Sequence, residues 1–208
     1  MKYRLVLSDV DSTLIQEEVI DLLAIHSGRG EEVSKITRAA MSGDLDFKEA
    51  LRQRVGTLKG LPVSIFERVA AQVNLSPGAV ELREFCRSSN VRFGAVTGGF
   101  YQVLNHIPFF QELDFLRANS LEVKDGFLTG GVEGEILDRV AKAKYLEEFA
   151  REANAPLAEC VAIGDGANDL DMVNRAGLGI SFRGKKILRA SADVSIEESL
   201  TEVIGLLS

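Results

Sequence analysis

Short apolar runs recur along the chain, and each ends in small or acidic residues. The runs are too short for helices and are apolar on both faces, which is typical of buried parallel strands. Segments of helical periodicity lie between them. The pattern therefore predicts an α/β fold with a doubly wound, mostly parallel sheet and helices on both faces. The predicted strands are residues 3–8, 91–96, 160–163 and 178–182 and a weaker 193–196, and the helices between them are 79–87, 141–153 and 168–176.

The stretch from Leu14 to about Leu75 breaks this alternation, because it holds helical segments and no convincing strand. The segments are residues 17–26, 31–41, 46–58 and 63–73. This predicts a small all-helical cap domain, residues 14–74, inserted into a core domain made of residues 1–13 and 75–208. Further along, Asp125-Gly126 lies between alternating residues, so a β-hairpin is predicted over residues 121–132.

Composition and charge narrow the possible functions. The chain has 208 residues, 46% of them hydrophobic, and a formal net charge of −7. That charge argues against a general nucleic-acid binder or an anionic-membrane binder. No apolar run approaches the ~20 residues of a membrane span, and the N-terminus becomes acidic before a signal-peptide core forms, so a cytoplasmic protein is expected. Cys86 and Cys160 lack the spacing of a metal site and are expected to be buried, reduced thiols.

Polar residues follow the predicted strands at the sheet edge where ligands bind in such folds. Asp9 and Asp11 are two residues apart, so one carboxylate could attack as a nucleophile while the other handles protons. Thr97 offers a hydroxyl, and Gly98 and Gly99 allow backbone N–H groups to approach an anion. These residue types together fit the binding of a phosphate group.

Counting the charges at this edge indicates a metal. Four aspartates and one lysine sum to −3, which would repel a phosphate dianion. A divalent cation is therefore implied, and an all-oxygen donor set without Cys or His favours Mg²⁺. Such a site suits phosphoryl transfer. Asn168 adds a neutral amide donor. The charged residues are Asp9, Asp11, Asp165 and Asp169 with a lysine from the pair Lys142 and Lys144.

These motifs resemble, in order and over nearly the whole chain, those of the haloacid-dehalogenase-superfamily phosphatases, and are most similar to the phosphoserine phosphatases. The resemblance implies a Mg²⁺-dependent hydrolase that releases serine and phosphate from O-phosphoserine through an aspartyl phosphate. The motifs that carry it are Asp9–Thr13, Thr97–Phe100, Lys142 and Gly164–Asp169, with Glu17-Glu18, residues 35–41, residues 47–55 and residues 123–126 elsewhere.

The resemblance also implies a role for each matching residue. Asp9 would be the nucleophile, and Asp11 would protonate the leaving oxygen and then deprotonate water. Mg²⁺ would bind the Asp9 carboxylate, the Asp11 backbone carbonyl and Asp165, while Asp169 would orient the lysine or the metal's waters. Lys142 is preferred over Lys144 by its place relative to the last motif. The residues expected to bind the phosphoryl group are Thr97, Gly98, Gly99, Lys142 and Asn168.

The predicted cap offers residues for an amino-acid substrate. Phe47, Leu51 and Arg54 lie at i, i+4 and i+7 and so share one helix face. An arginine on a covered apolar stripe needs an anionic partner, and a substrate carboxylate matches its fork. Glu18 is placed to accept the ammonium group, and Met41 and Phe47 are placed to exclude solvent.

Other functions remain open at this stage. The acceptor could be an alcohol such as homoserine, giving a phosphotransferase, or the substrate another small phosphoester. A receiver-like signalling module ranks low, because its acids are adjacent and its chain is shorter, and a binding protein without catalysis would need an unseen defect. Thr97 departs from the serine usual in phosphoserine phosphatases. The oligomeric state is left open.

Overall fold

The computed structural model describes residues 2–42 and 44–207, with side chains in 2–40 and 44–207. Within these residues, the named strands form one seven-stranded sheet in the order β4-β3-β2-β1-β5-β6-β7. All neighbours pair in parallel except β3 and β4, which are antiparallel. The strands are β1 Leu5–Ser8, β2 Arg92–Phe100, β3 Phe115–Lys124, β4 Phe127–Glu133, β5 Cys160–Gly164, β6 Leu178–Phe182 and β7 Val194–Ile196.

The central strands are buried on both faces, as their apolar runs predict. Every residue of β1 and β5 is buried, because helices cover the two faces of the sheet. Ser8, the last residue of β1, pairs with Ala95 of β2 and Ile163 of β5. The residues that follow these three positions therefore meet at one edge of the sheet.

The helices divide between the sheet and the segment inserted after β1. Those inserted are α1 Val19–His26, α2 Gly30–Ser42, α3 Phe47–Gly56 and α4 Ile65–Ala70. Those that follow are α5 Ala79–Ser88, α6 Tyr101–Leu104, α7 Pro108–Gln111, α8 Arg139–Glu152, α9 Leu170–Arg175, α10 Lys186–Arg189 and α11 Thr201–Leu207. None of the helices described is long and apolar enough to cross a membrane.

The inserted helices are tied to the sheet at two places. Where the segment leaves and returns, Ile15 forms an antiparallel bridge with Leu75. Where α3 connects to α4, the Gly60 N–H donates to the Leu128 carbonyl at 2.8 Å, and the Leu128 N–H donates to the Leu61 carbonyl at 2.9 Å. The segment thus contacts the β3–β4 hairpin through backbone hydrogen bonds. The division into domains at residues 14–74 stays a prediction.

The predicted fold class is confirmed, and the main difference lies in β3. The hairpin around Asp125-Gly126 is present, but its first strand starts at Phe115 and pairs in parallel with β2 before it pairs with β4. Arg117 and Asn119 interrupt the apolar residues there, so the strand lacks the continuous apolar run from which the other parallel strands were predicted. The four-residue helices α6, α7 and α10 are about one turn long and too short to show helical periodicity.

Candidate active site

Asp9 lies at the carboxyl edge of the sheet, directly after β1. Its backbone N–H donates to the Ile163 carbonyl of β5 at 2.8 Å, which fixes it between the two central strands. Its carboxylate Oδ1 accepts from the Val10 N–H at 2.7 Å and forms an ion pair with Lys142 Nζ at 2.8 Å. Burial, and next the nearby Asp169 carboxylate, raise the pKa of Asp9 to about 7.

Lys142 is the buried cation of this site. It lies in the first turn of α8, is fully buried, and contacts Asp169 Oδ1 at 2.7 Å in addition to Asp9. Burial alone would lower the pKa of Lys142, but the Asp169 and Asp9 carboxylates outweigh it and raise that pKa. Lys144 is exposed. Of the two lysines singled out in the sequence, the structure therefore brings Lys142 to the site.

Three carboxylates lie close enough to hold one cation. Asp9, Asp165 and Asp169 each offer an oxygen, and these oxygens lie within 4.8 Å of one another. Asp169 Oδ2 already has hydrogen-bond partners, because it accepts from the N–H groups of Asp165 and Gly166, both at 3.1 Å. Asp165 Oδ1 is buried without a partner among the described residues.

A buried carboxylate oxygen without a partner costs folding free energy, and in Asp165 the pKa reflects this cost. Burial, together with the charges of Glu18 and Asp169, raises the pKa of Asp165 well above its ordinary value. A cation bound at Asp165 and Asp9 would remove this cost. The all-oxygen donor set fits a hard divalent metal ion.

The Asp11 carboxylate is held away from these three carboxylates. Its Oδ1 accepts from the N–H of Val19, the first residue of α1, at 2.8 Å, and its Oδ2 accepts from the Thr97 hydroxyl at 2.8 Å. Burial raises the pKa of Asp11, although both hydrogen bonds oppose the rise. The Asp11 carboxyl therefore tends to stay protonated and points at the carboxyl end of β2, where Thr97 lies.

This end of β2 has glycine at two crowded positions. A Cβ on Gly99 would lie 2.5 Å from Asp11 Oδ2, and a Cβ on Gly98 would lie 2.6 Å from the Cζ atom of Phe47 in α3. The Gly99 N–H donates to the Thr97 hydroxyl oxygen at 2.8 Å. The end of the strand is thus packed between the Asp11 carboxyl and an aromatic ring of the inserted helices.

Phe47, Leu51 and Arg54 share a face of α3, as their spacing predicts, and this face closes a cavity over the sheet edge. Arg54 is 4% exposed, and no carboxylate of the described residues lies within ion-pair distance of it. Burial lowers the pKa of Arg54. The cavity is lined by Asp9, Asp11, Glu18, Ile20, Phe47, Leu51, Arg54, Thr97, Gly98, Gly99, Phe100 and Asn168.

Glu18 is a second titratable residue that the inserted segment brings to the cavity. Its Oε1 accepts from the Ser12 hydroxyl at 2.7 Å. Burial, and next the charge of Asp11, raise the pKa of Glu18 to about 8. The side chain of Met41 lies outside the residues described. Of the other predicted site residues, Lys142 contacts Asp9, and Asp165 and Asp169 each have an oxygen within 4.8 Å of that carboxylate. The rest line the cavity.

Comparison with known proteins gives the family. The family model of haloacid dehalogenase-like hydrolases matches residues 6–174, which is more than half of the chain. The chain belongs to this family.

Within the family, the chain is similar to phosphoserine phosphatases. It is 48% identical to phosphoserine phosphatases of Streptococcus thermophilus, over 98% of this chain and 95% of that one, and of Streptomyces coelicolor, over 97% of this chain. It spans only 49% of the Streptomyces coelicolor protein. A solved structure described as the phospho-aspartyl intermediate analogue of phosphoserine phosphatase superposes with a TM-score of 0.95 at 42% identity and covers 100% of both chains. The predicted resemblance is confirmed.

Sequence reasoning missed two buried residues behind the site of this haloacid dehalogenase-like hydrolase. Asn119 of β3 donates from Nδ2 to the Gly98 carbonyl and accepts the Leu137 N–H, both at 2.8 Å. Thr37 of α2 contacts Arg54. Thr37 lies in residues 35–41, which carry part of the family resemblance, but it received no role there, and Asn119 was not singled out. Neither residue type specifies a partner from sequence.

Proposed function

We propose that this chain is a metal-dependent phosphatase, with Mg²⁺ as its metal, that hydrolyses O-phosphoserine to serine and phosphate. One observation carries the proposal: the cavity has an acidic, cation-requiring cluster on one side and the buried, unpaired guanidinium of Arg54 on the other. Phosphoserine carries a phosphate at one end and an α-carboxylate with an ammonium group at the other. Its two ends therefore match the two sides of the cavity.

The first half-reaction uses Asp9 as the nucleophile. Its carboxylate attacks phosphorus, the bond to the serine oxygen breaks, and the Asp11 carboxyl gives its proton to that oxygen. The raised pKa of Asp11, which follows from burial, supports this role, because a general acid must hold a proton before the reaction. The phosphoryl oxygens would be held by the hydroxyl of Thr97, the Gly98 N–H, Lys142 and the Asn168 amide.

The second half-reaction returns the enzyme to its starting state. The Asp11 carboxylate takes a proton from a water molecule, whose oxygen attacks the phosphorus of the aspartyl phosphate. The bond between phosphorus and the Asp9 carboxylate breaks, and phosphate leaves. The phospho-aspartyl analogue of the similar solved structure supports an intermediate of this kind.

The metal would be held by the Asp9 carboxylate, the Asp11 backbone carbonyl and Asp165. The Asp11 carbonyl accepts no hydrogen bond within the described part of the chain, and the unpartnered Asp165 Oδ1 supplies a second free oxygen. A divalent cation held there would neutralise the charge that develops on the phosphoryl group. Asp9, whose pKa is raised to about 7 by burial and by Asp169, would then be ionised more readily. Asp169 would hold Lys142 in place.

The amino-acid end of the substrate would bind the inserted helices. Arg54 would pair with the α-carboxylate. Glu18 would accept the ammonium group, which would in turn favour ionisation of that carboxyl. Phe47, packed against Gly98, would exclude solvent. A role for Met41 and a cytoplasmic location stay predictions from the sequence.

The test is substrate ranking by phosphate release from the purified full chain supplied with Mg²⁺. We expect O-phosphoserine to exceed O-phosphoethanolamine, which lacks only the carboxylate, by at least about 100-fold in kcat/KM, because an unfilled site for a charged group is heavily penalised. Equal rates across a panel of small phosphoesters would contradict the proposed substrate. Serine release in excess of phosphate when an alcohol is added would indicate a phosphotransferase instead.

A further inference from the structure

The buried guanidinium of Arg54 is held from behind by a hydroxyl. Arg54 Nη1 donates to Thr37 Oγ1 at 3.1 Å, and Arg54 Nε donates to the Ala50 carbonyl of its own helix at 3.2 Å. Nη2 has no hydrogen-bond partner among the described residues. Thr37 is 3% exposed, so water does not compete for this contact. Two anchors therefore fix the plane of the guanidinium and leave its other edge for a ligand.

The direction of the Thr37 hydroxyl is set by a third residue. Thr37 Oγ1 lies 2.7 Å from Asp21 Oδ1 and 3.1 Å from the Val33 carbonyl, and both of these atoms can only accept. A hydroxyl has one proton and two lone pairs. With its proton directed to Asp21, Thr37 presents a lone pair to Arg54, which can only donate. The chain Asp21–Thr37–Arg54 thus has one consistent direction.

This chain links three of the inserted helices. Asp21 belongs to α1, Thr37 to α2 and Arg54 to α3. Asp21 lies beyond ion-pair distance of Arg54, since no salt bridge joins them among the described residues. Asp21 therefore touches the guanidinium only through the hydroxyl, while its charge acts on Arg54 from a longer distance.

We infer that Thr37 and Asp21 are positioning residues that hold Arg54 in the orientation needed to bind the substrate carboxylate, and so contribute to selection of an amino-acid phosphoester. Neither lines the cavity, and neither takes part in phosphoryl transfer. The inference rests on the proposed function, because it assumes a carboxylate opposite Arg54.

The test compares two substrates in Thr37→Val, which replaces the hydroxyl by a methyl group of similar size. We expect the ratio of kcat/KM for O-phosphoserine to that for O-phosphoethanolamine to fall by about 10-fold, mainly through KM for O-phosphoserine. Thr37→Ser should restore the wild-type ratio. Thr57→Val is the matched control, because the Thr57 hydroxyl donates to the Arg54 backbone carbonyl at 2.7 Å and does not touch the guanidinium.

Two further variants keep the inference falsifiable if Thr37→Val folds poorly. Asp21→Asn, at a partly exposed position, should lower the ratio about 3-fold. In an Arg54→Met background, Asp21→Asn should not change it. An unchanged ratio in both Thr37→Val and Asp21→Asn, or equal losses on the two substrates, would overturn the inference. A wild-type enzyme with no preference for O-phosphoserine would instead overturn the proposed function.

Discussion

The two sides of the cavity carry opposite imbalances of charge. At the sheet edge, the buried Lys142 pairs with Asp9 and Asp169, and Asp165 Oδ1 has no partner among the described residues, so negative charge is in excess. On the inserted helices, Arg54 is buried without a carboxylate partner in the described part of the chain. Each imbalance is costly in the free protein and is relieved by a ligand of opposite charge.

This difference indicates that the two sides of the cavity bind different parts of the substrate. The acidic side is built on strand ends and fits a cation with a phosphoryl group, which every phosphomonoester carries. The basic side is built on three short helices and fits a group that only some phosphoesters carry. Under the proposed function, we therefore expect the sheet edge to set the reaction class and the inserted helices to set the choice of substrate. Substitutions on the two sides are expected to fail in different ways.

The largest effect is expected for Asp9→Asn. Removing the attacking carboxylate should lower phosphate release by at least about 1,000-fold for every substrate. The fold should persist, because the new amide oxygen can still accept from Val10 and Lys142 keeps Asp169. Phosphate release and circular dichroism measure the two effects. Asp125→Asn is the matched control, since Asp125 is exposed in the hairpin turn with φ of 51° and asparagine tolerates that conformation. Retained turnover in Asp9→Asn would refute the nucleophile.

Removal of the shared lysine should damage both stability and activity. Lys142→Met leaves two buried carboxylates without their cation, and we expect a loss of about 3 kcal/mol in unfolding free energy near pH 8. The loss should shrink near pH 5, because protonation of Asp9, whose pKa is raised to about 7, then removes part of the uncompensated charge. Urea unfolding at both pH values measures it. Lys144→Met, at an exposed position of the same helix, should change neither property, and equal behaviour of the two variants would reject Lys142.

Arg54→Met should change substrate choice without removing chemistry. We expect kcat/KM for O-phosphoserine to fall about 100-fold and that for O-phosphoethanolamine to change less than about 3-fold, because only the first substrate loses a charge-assisted pair. Arg52→Met, two residues away and exposed, serves as the control. If both substrates lost equally, the proposed division between the two sides would be wrong.

Glu18→Gln should change how the stability of the protein depends on pH. Burial and Asp11 raise the pKa of Glu18 to about 8 from its ordinary 4.5. Between those values the unfolded chain releases a proton that the folded protein keeps, so this group lowers stability as pH rises from about 4.5 to 8. In metal-free protein, the variant should be more stable than its parent by about 1–2 kcal/mol near pH 8 and equal to it near pH 4.5. A gain of the same size at both pH values would contradict the shift.

The smallest effect is expected for Thr97→Ser. The hydroxyl donates to Asp11 and accepts from Gly99, both at 2.8 Å, and serine can make the same two hydrogen bonds. We expect kcat/KM for O-phosphoserine to stay within about 3-fold of the parent, whereas Thr97→Val should lose at least about 30-fold. Steady-state kinetics of the pair decides whether the hydroxyl or the methyl group matters at this position.

The sequence by itself determined which polar groups follow each strand. The apolar runs and the polar residues that end them, such as Asp9 after β1 and Asp165 after β5, are local patterns set by strand burial and strand direction. The spacing of Phe47, Leu51 and Arg54 likewise fixed their common face, because the helical repeat depends on nothing outside the helix.

Tertiary structure decided which of these groups touch. The family resemblance favoured Lys142 over Lys144, but only packing shows the physical difference, since both lie in one helix and differ by burial. Only packing directs the Asp11 carboxyl to Thr97 and brings Thr37 behind Arg54. Contacts between elements distant along the chain depend on how helices and strands pack, and no local periodicity encodes that. Side-chain pairing is therefore a property of the folded protein.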